Sequence, residues 1–108
     1  MPQKLKRLNP SLREKKRYLE FEVISEGKVR NRLQEVVSKI NEILGFYDSA
    51  EAGVMPVKYE GGKGIIRTSA KMLDKVRASF LFIKELGTEE VIIRSCKTYG
   101  TLKKAKGE

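Results

Sequence analysis

The sequence predicts an α+β two-layer sandwich of order β-α-β-β-α-β: a four-stranded antiparallel sheet with two helices on one face. Three observations carry this. Strict alternation over Tyr18–Ile24 marks a half-buried strand. Apolar residues at helical spacing over Val29–Leu44 and again over Met72–Ile83 mark two amphipathic helices. The pair Gly61-Gly62, between two short strand-like runs, marks a hairpin. At 108 residues the chain can build one such core but not two.

Strand one, about 17–25, places Leu19, Phe21 and Val23 on one side and Tyr18, Glu20, Glu22 and Ile24 on the other. Ser25-Glu26-Gly27 supplies a helix N-cap with an acid in the first turn. Val29, Leu33, Val36, Val37, Ile40, Ile43 and Leu44 form the stripe of the first helix, which Gly45 ends, so that Phe46 to Gly53 reads as a loop. Ala52 to Tyr59 gives strand two, and Pro56, with no N–H for a ladder, assigns it to a sheet edge. Glu60-Gly61-Gly62-Lys63 turns into strand three, Gly64 to Thr68. Ser69 caps the second helix, whose buried face is Met72, Leu73, Val76, Phe80 and Ile83 and whose end is Gly87. Strand four runs from about Glu90 to Thr98. Right-handed crossovers then make strands one and three central and strands two and four edges. That is the ferredoxin-like arrangement, shared with the RNA-recognition motif. The chain divides into a basic arm (1–16), one folded domain (17–99) and a basic tail (100–108).

The formal charge of +9 is informative once divided. Residues 1–17 hold seven Lys/Arg and one acid, and residues 97–108 hold four Lys and one acid. The stretch between them carries twelve of each sign and is neutral. Excess positive charge confined to two ends is the footprint of a polyanion binder. The candidate phosphate contacts are Lys4, Lys6, Arg7, Arg13, Lys15, Lys16 and Arg17, with Lys97, Lys103, Lys104 and Lys106. No apolar run approaches the roughly 20 residues of a membrane span. The basic N-terminus is not followed by an apolar stretch, so a secretory signal is not expected. The lone Cys96 favours a reducing compartment, and hence the cytoplasm.

Catalytic chemistry is poorly provided for. With no histidine and one cysteine, the commonest general base and a Cys-rich zinc site are excluded within this chain. No metal ligands or catalytic set are recognised. Cys96, among strand-four apolar residues, reads as an inert buried thiol. Glu20 and Glu22 read as partners of Arg67 and Arg94 in cross-strand ion pairs. Gly61-Gly62-Lys63-Gly64 lacks the full phosphate-loop pattern and reads as a turn. The open sheet face presents those two acids, no aromatic on strand three, and only Tyr18 for stacking, so it is not expected to be an RNA platform. Leu81 and Phe82, outside the buried stripe of the second helix, are expected on the surface as a protein contact.

Three segments together, LREKKRYLEFEVIS (12–25), GIIRTSAKMLDKVRASFLFI (64–83) and SCKTYGTLKKA (95–105), resemble the family of small protein subunits of archaeal ribonuclease P, whose eukaryotic relative is shared with ribonuclease MRP. The likeness spans nearly the whole chain in the same order; the tails and the stretch 46–53 vary within the family. It implies the βαββαβ fold and a role in removing 5′ leaders from precursor tRNA. It also implies that the RNA subunit, with Mg²⁺ bound to it, performs the hydrolysis, so that this chain binds no cofactor of its own. Implied partners are the ribonuclease P RNA, the TIM-barrel-like protein subunit and other proteins of the particle, with self-association and indirect contact with precursor tRNA. The alternative is a ribosomal or general structured-RNA-binding protein of the same fold. A ferredoxin-like acylphosphatase would want an Arg-containing loop after strand one, which Ser25-Glu26-Gly27 does not supply.

Overall fold

Alternation along the first strand decides where the core lies. In this computed structural model, which describes residues 15–26 and 31–101, Leu19, Phe21 and Val23 are buried and Ile24 is exposed. The elements, in chain order, are β1 (Lys16–Ile24), α1 (Leu33–Ala52), β2 (Met55–Glu60), β3 (Lys63–Ser69), α2 (Leu73–Ser79), β4 (Glu85–Leu86), β5 (Glu89–Glu90) and β6 (Ile92–Tyr99). Four of the strands form one antiparallel sheet in the order β2-β3-β1-β6. The central and edge strands are therefore those expected. Pro56 lies on edge strand β2, where the register shifts between Pro56 and Lys58; a residue that donates nothing is tolerated there. Gly61 and Gly62, with φ of 61° and 82°, make the hairpin turn that two successive positive φ values require.

The first helix differs from its expected limits at both ends. Asn31 Oδ1 accepts from Leu33 N at 2.9 Å, doing the work assigned to Ser25. The Ser25 hydroxyl instead donates to Glu89 Oε2 at 3.3 Å; Gly27 and Val29 lie outside the described residues. Gly45 (φ 86°, ψ 177°) breaks the helix without ending it, and the chain stays helical to Ala52. Gly53, left-handed with its N–H on Ser49 O, is the true terminator. Most of the expected 46–53 loop is thus helix. Tertiary contacts hold it there: Thr68 Oγ1 donates to Ala52 O at 3.0 Å, and Lys71–Glu51 and Lys75–Asp48 pair at 2.9 and 3.2 Å.

The second helix is shorter than its periodicity implies. A 3₁₀ turn at Ala70–Met72, α2 and a further 3₁₀ turn at Phe80–Phe82 make up the run. Ser69 stands at the N-terminal boundary, but its hydroxyl makes no cap and is buried without a partner among the described residues. Ile83 is already extended (φ −91°, ψ 106°), so Gly87, with φ 67°, turns the small β4–β5 hairpin instead of ending a helix. Cys96 is exposed, not buried. Leu19 pairs with Thr98 and Phe21 with Ser95, so Cys96 and Lys97 together oppose Glu20 in a bulge, and the inward alternation is lost there.

Both helical segments pack on the face carrying Leu19, Phe21 and Val23, with Val36, Ile40, Ile66, Val76, Phe80 and Leu86 among the buried residues. Gly64 lies directly across from Phe21, and a Cβ there would sit 2.5 Å from Phe21 Cζ. Gly64→Ala is expected to destabilise by about 2–3 kcal/mol through over-packing. Urea unfolding checks this as a lower midpoint at unchanged m.

Arg32 fastens the start of α1 to the hairpin. It is 2% exposed, and its Nη2 lies 2.5 Å from Glu89 Oε1. Glu89→Ala leaves that guanidinium buried without its carboxylate, at an expected cost of about 2–4 kcal/mol. The double change Arg32→Met with Glu89→Leu, followed by the same unfolding measurement, should recover most of it. Among the described residues, no helix is long and apolar enough to cross a membrane.

Candidate nucleic-acid interface

Antiparallel pairing of the first and last strands of the sheet brings together what the sequence keeps apart. Tyr18 is opposite Tyr99 and Leu19 is opposite Thr98. The chain therefore enters the sheet at Lys15 and leaves it at Thr101 from the same end. The two segments holding the net charge are rooted side by side.

Of the eleven candidate cations, Lys15, Lys16, Arg17 and Lys97 fall among the described residues; Lys4, Lys6, Arg7, Arg13, Lys103, Lys104 and Lys106 lie outside them. Lys15 and Lys97 are exposed, and Lys16 and Arg17 are half-buried. Lys16 pairs in register with Ser69, and Arg17 with Thr68, so the two side chains leave on opposite faces. Arg17 Nη1 donates to the Lys16 carbonyl at 2.9 Å, which steers the guanidinium along the strand end. Ala70 N donates to the Lys15 carbonyl at 2.8 Å and anchors the root of the N-terminal segment. The described cations thus ring one end of the sheet.

Of the two acids on the open face, only one takes its expected cation. Glu22 is paired with Arg94 Nη2 at 2.5 Å, as expected. Arg67 does not take the other expected pair. Its register partner on β1 is Tyr18, Glu20 being opposite Ile65, and its buried Nε has no hydrogen-bond partner among the described residues. Met55, Arg67, Tyr18 and Tyr99 form one row across all four strands. Tyr99 escaped sequence reasoning because strand four was ended at Thr98. The bulge shifts the alternation, and only the register returns Tyr99 to the open face.

Leu81 and Phe82 are 75% and 69% exposed, where the helical wheel put them. They belong to an apolar surface that Ile92 and Ile24 extend; Leu81, Ile92 and Ile24 line one groove. A second exposed pair, Phe46 and Tyr47, projects beyond the break in α1 with ring centroids 5.3 Å apart, edge to face. It was missed because that stretch read as loop.

Among the described residues no three His, Cys, Asp or Glu side chains gather to hold a metal ion. The two sheet carboxylates do not fit a Mg²⁺ site either, since Glu22 is committed to Arg94 and Glu20 stands opposite Ile65 and the bulge.

The profile of the Rpp14/Pop5 family matches residues 17–108. Similar proteins named "Ribonuclease P protein component 2" include one from Methanosarcina mazei, 35% identical over 94% of this chain and 89% of the relative. Another, from Methanocaldococcus jannaschii, is 35% identical over 98% of this chain and 81% of the relative. A third, from Pyrococcus horikoshii, is 32% identical over 98% and 92%.

Proposed function

The chain belongs to the Rpp14/Pop5 family, and from that premise we propose that it is a protein subunit of ribonuclease P, supporting RNA-catalysed removal of 5′ leaders from precursor tRNA. The observation that carries this is similarity along nearly the whole chain to proteins named for that enzyme. The particle's RNA would hold the Mg²⁺ and perform the hydrolysis. This chain binds that RNA and contributes no nucleophile.

The proposed mechanism is electrostatic. Two cationic segments rooted at one sheet end meet converging phosphates and release their counterions, which lowers the repulsion that opposes the RNA's active fold. Lys16 and Arg17 leave on opposite faces, so they suit two backbone segments passing on either side of the strand end. Such contacts position a protein on RNA and carry little sequence information. Reconstitution tests the reading. Adding the chain to cognate RNA and the other protein subunits should raise precursor-tRNA cleavage at near-physiological Mg²⁺. Equal stimulation of an unrelated structured RNA would favour a general RNA-binding role instead.

Docking of the TIM-barrel-like protein subunit is assigned to the exposed apolar surface at Leu81 and Phe82. An exposed apolar cluster of this kind, continuous with Ile92, suits the core of a protein contact. Leu81→Ser with Phe82→Ser is expected to weaken capture of that subunit at least ~10-fold while leaving RNA affinity within about twofold. Pull-down and RNA titration of the same variant check both halves. The same change at Phe46 and Tyr47 is the control that separates the two faces.

A further inference from the structure

The row Met55–Arg67–Tyr18–Tyr99 is a feature of this fold that the electrostatic reading leaves unused. We propose that it is a stacking site for an unpaired nucleotide, with Tyr18 and Tyr99 as the platform and Arg67 beside it as the donor. The inference rests on the chain being an RNA-binding subunit and names how part of that RNA is held. It also revises the expectation that this face is no RNA surface, which counted one tyrosine where the strand register supplies two.

Four observations support it. Tyr18 and Tyr99 are directly opposite on adjacent strands, both half-buried, which places their Cβ atoms about 4.5–5.5 Å apart on one surface. Bases stack on such pairs without regard to sequence, because every base has a π face. Arg67 is opposite Tyr18 on the other side, and the guanidinium forms no ion pair among the described residues. Its buried Nε–H has no acceptor among the described residues, an unusual state for so strong a donor. The flanking charge is favourable. Lys16 lies on this face beside the row, and Lys97 lies in the bulge next to it. The nearest acids stand one and two rows away, and the further of them, Glu22, is neutralised by Arg94. Finally, both cationic segments are rooted at the end of the sheet where Tyr18 and Tyr99 lie.

An unpaired strand fits better than a duplex. A duplex offers this face only phosphates and sugars, and would leave the two rings without a stacking partner. The occupant is therefore a single-stranded segment or a splayed-out base of a structured RNA.

The test uses the full chain and an RNA oligonucleotide of about ten residues carrying one 2-aminopurine, alongside a duplex of the same length. Stacking should quench the fluorophore on the wild type and on Tyr18→Phe with Tyr99→Phe. Tyr18→Leu with Tyr99→Leu should abolish the quench and lower single-strand affinity about 10-fold or more, with the salt slope unchanged, because no phosphate contact is removed. Arg67→Met should lower affinity for the single strand more than for the duplex. No quench on the wild type, or Leu variants that are folded by circular dichroism and bind as the wild type does, overturns the proposal. Should the Leu pair fail to fold, the single changes Tyr18→Leu and Tyr99→Leu decide it: each should weaken the quench and the single-strand affinity, and a wild-type quench in both overturns the proposal. Precursor-tRNA cleavage by the reconstituted particle, measured in parallel with the wild-type chain, reports separately on the ribonuclease P reading.

Discussion

Removing residues 1–14 and 102–108 together is expected to lower affinity for the cognate RNA by about 10²–10³ at ~0.1 M salt. The deletion takes away seven of the eleven candidate cations and leaves the described domain intact. If about half of the seven neutralise a phosphate, the slope of log K against log salt becomes shallower by roughly three, at about 0.9 per contact. Extrapolated from 1 M, where this contribution vanishes, three contacts are worth about 500-fold at ~0.1 M. The loss should shrink steadily as salt is raised. Filter binding or anisotropy across a salt series measures both quantities at once. Should the trimmed chain bind with the same slope as the full one, the cationic ends are not the RNA contacts. Circular dichroism of the trimmed chain should be nearly unchanged, since the described helices and strands all lie within residues 16–99.

Phe21→Ala is expected to cost about 3–5 kcal/mol, the largest stability effect of any single change considered. The side chain is fully buried, its ring centroid is 5.3 Å from that of Phe80, and Gly64 forms the floor beneath it. A domain of this size has only about 5–15 kcal/mol in total, so the variant should be close to unfolded at 37 °C. Equilibrium unfolding at low temperature would give the number. The packing also makes a coupling prediction. Removing the Phe21 ring takes away the three atoms nearest a Cβ at position 64, so Gly64→Ala should cost far less in the Phe21→Ala background than alone. A double-mutant cycle reads that coupling, expected at about 1–3 kcal/mol. Simple additivity would mean that the ring and the glycine do not share the space as described.

The parts of the fold that sequence reasoning found are those governed by local rules. Leu19, Phe21 and Val23 had to share a face because successive strand residues alternate, and Pro56 had to lie at an edge because it donates nothing. The two glycines at 61 and 62 made a hairpin for the same kind of reason. The misreadings cluster where a local cue has more than one tertiary outcome. Glycine in a helical stripe can stop a helix or bend it. At Gly45 it bends, and what decides is distant: Thr68 on the Ala52 carbonyl and two lysines on Asp48 and Glu51. Ser69 has the right chemistry for a cap, but its buried hydroxyl makes no hydrogen bond to the helix start. Cys96 was misplaced because a bulge, invisible in composition, interrupts the alternation.

The candidate interface divides along the same line. Its charge was readable from the sequence, since Lys and Arg at two ends and a neutral middle are matters of counting. Its geometry was not. That both charged segments spring from one end of the sheet, that Tyr99 faces Tyr18, and that Arg67 stands opposite Tyr18 and not Glu20 all follow from the register of β1 against its two neighbours. Composition and periodicity determined what this protein is made to attract and which residues it must bury, because those depend on side-chain type and on neighbours along the chain. Which distant residues meet is set by the pairing of strands far apart in sequence, where a shift of one residue changes every partner, and only the tertiary structure decides that.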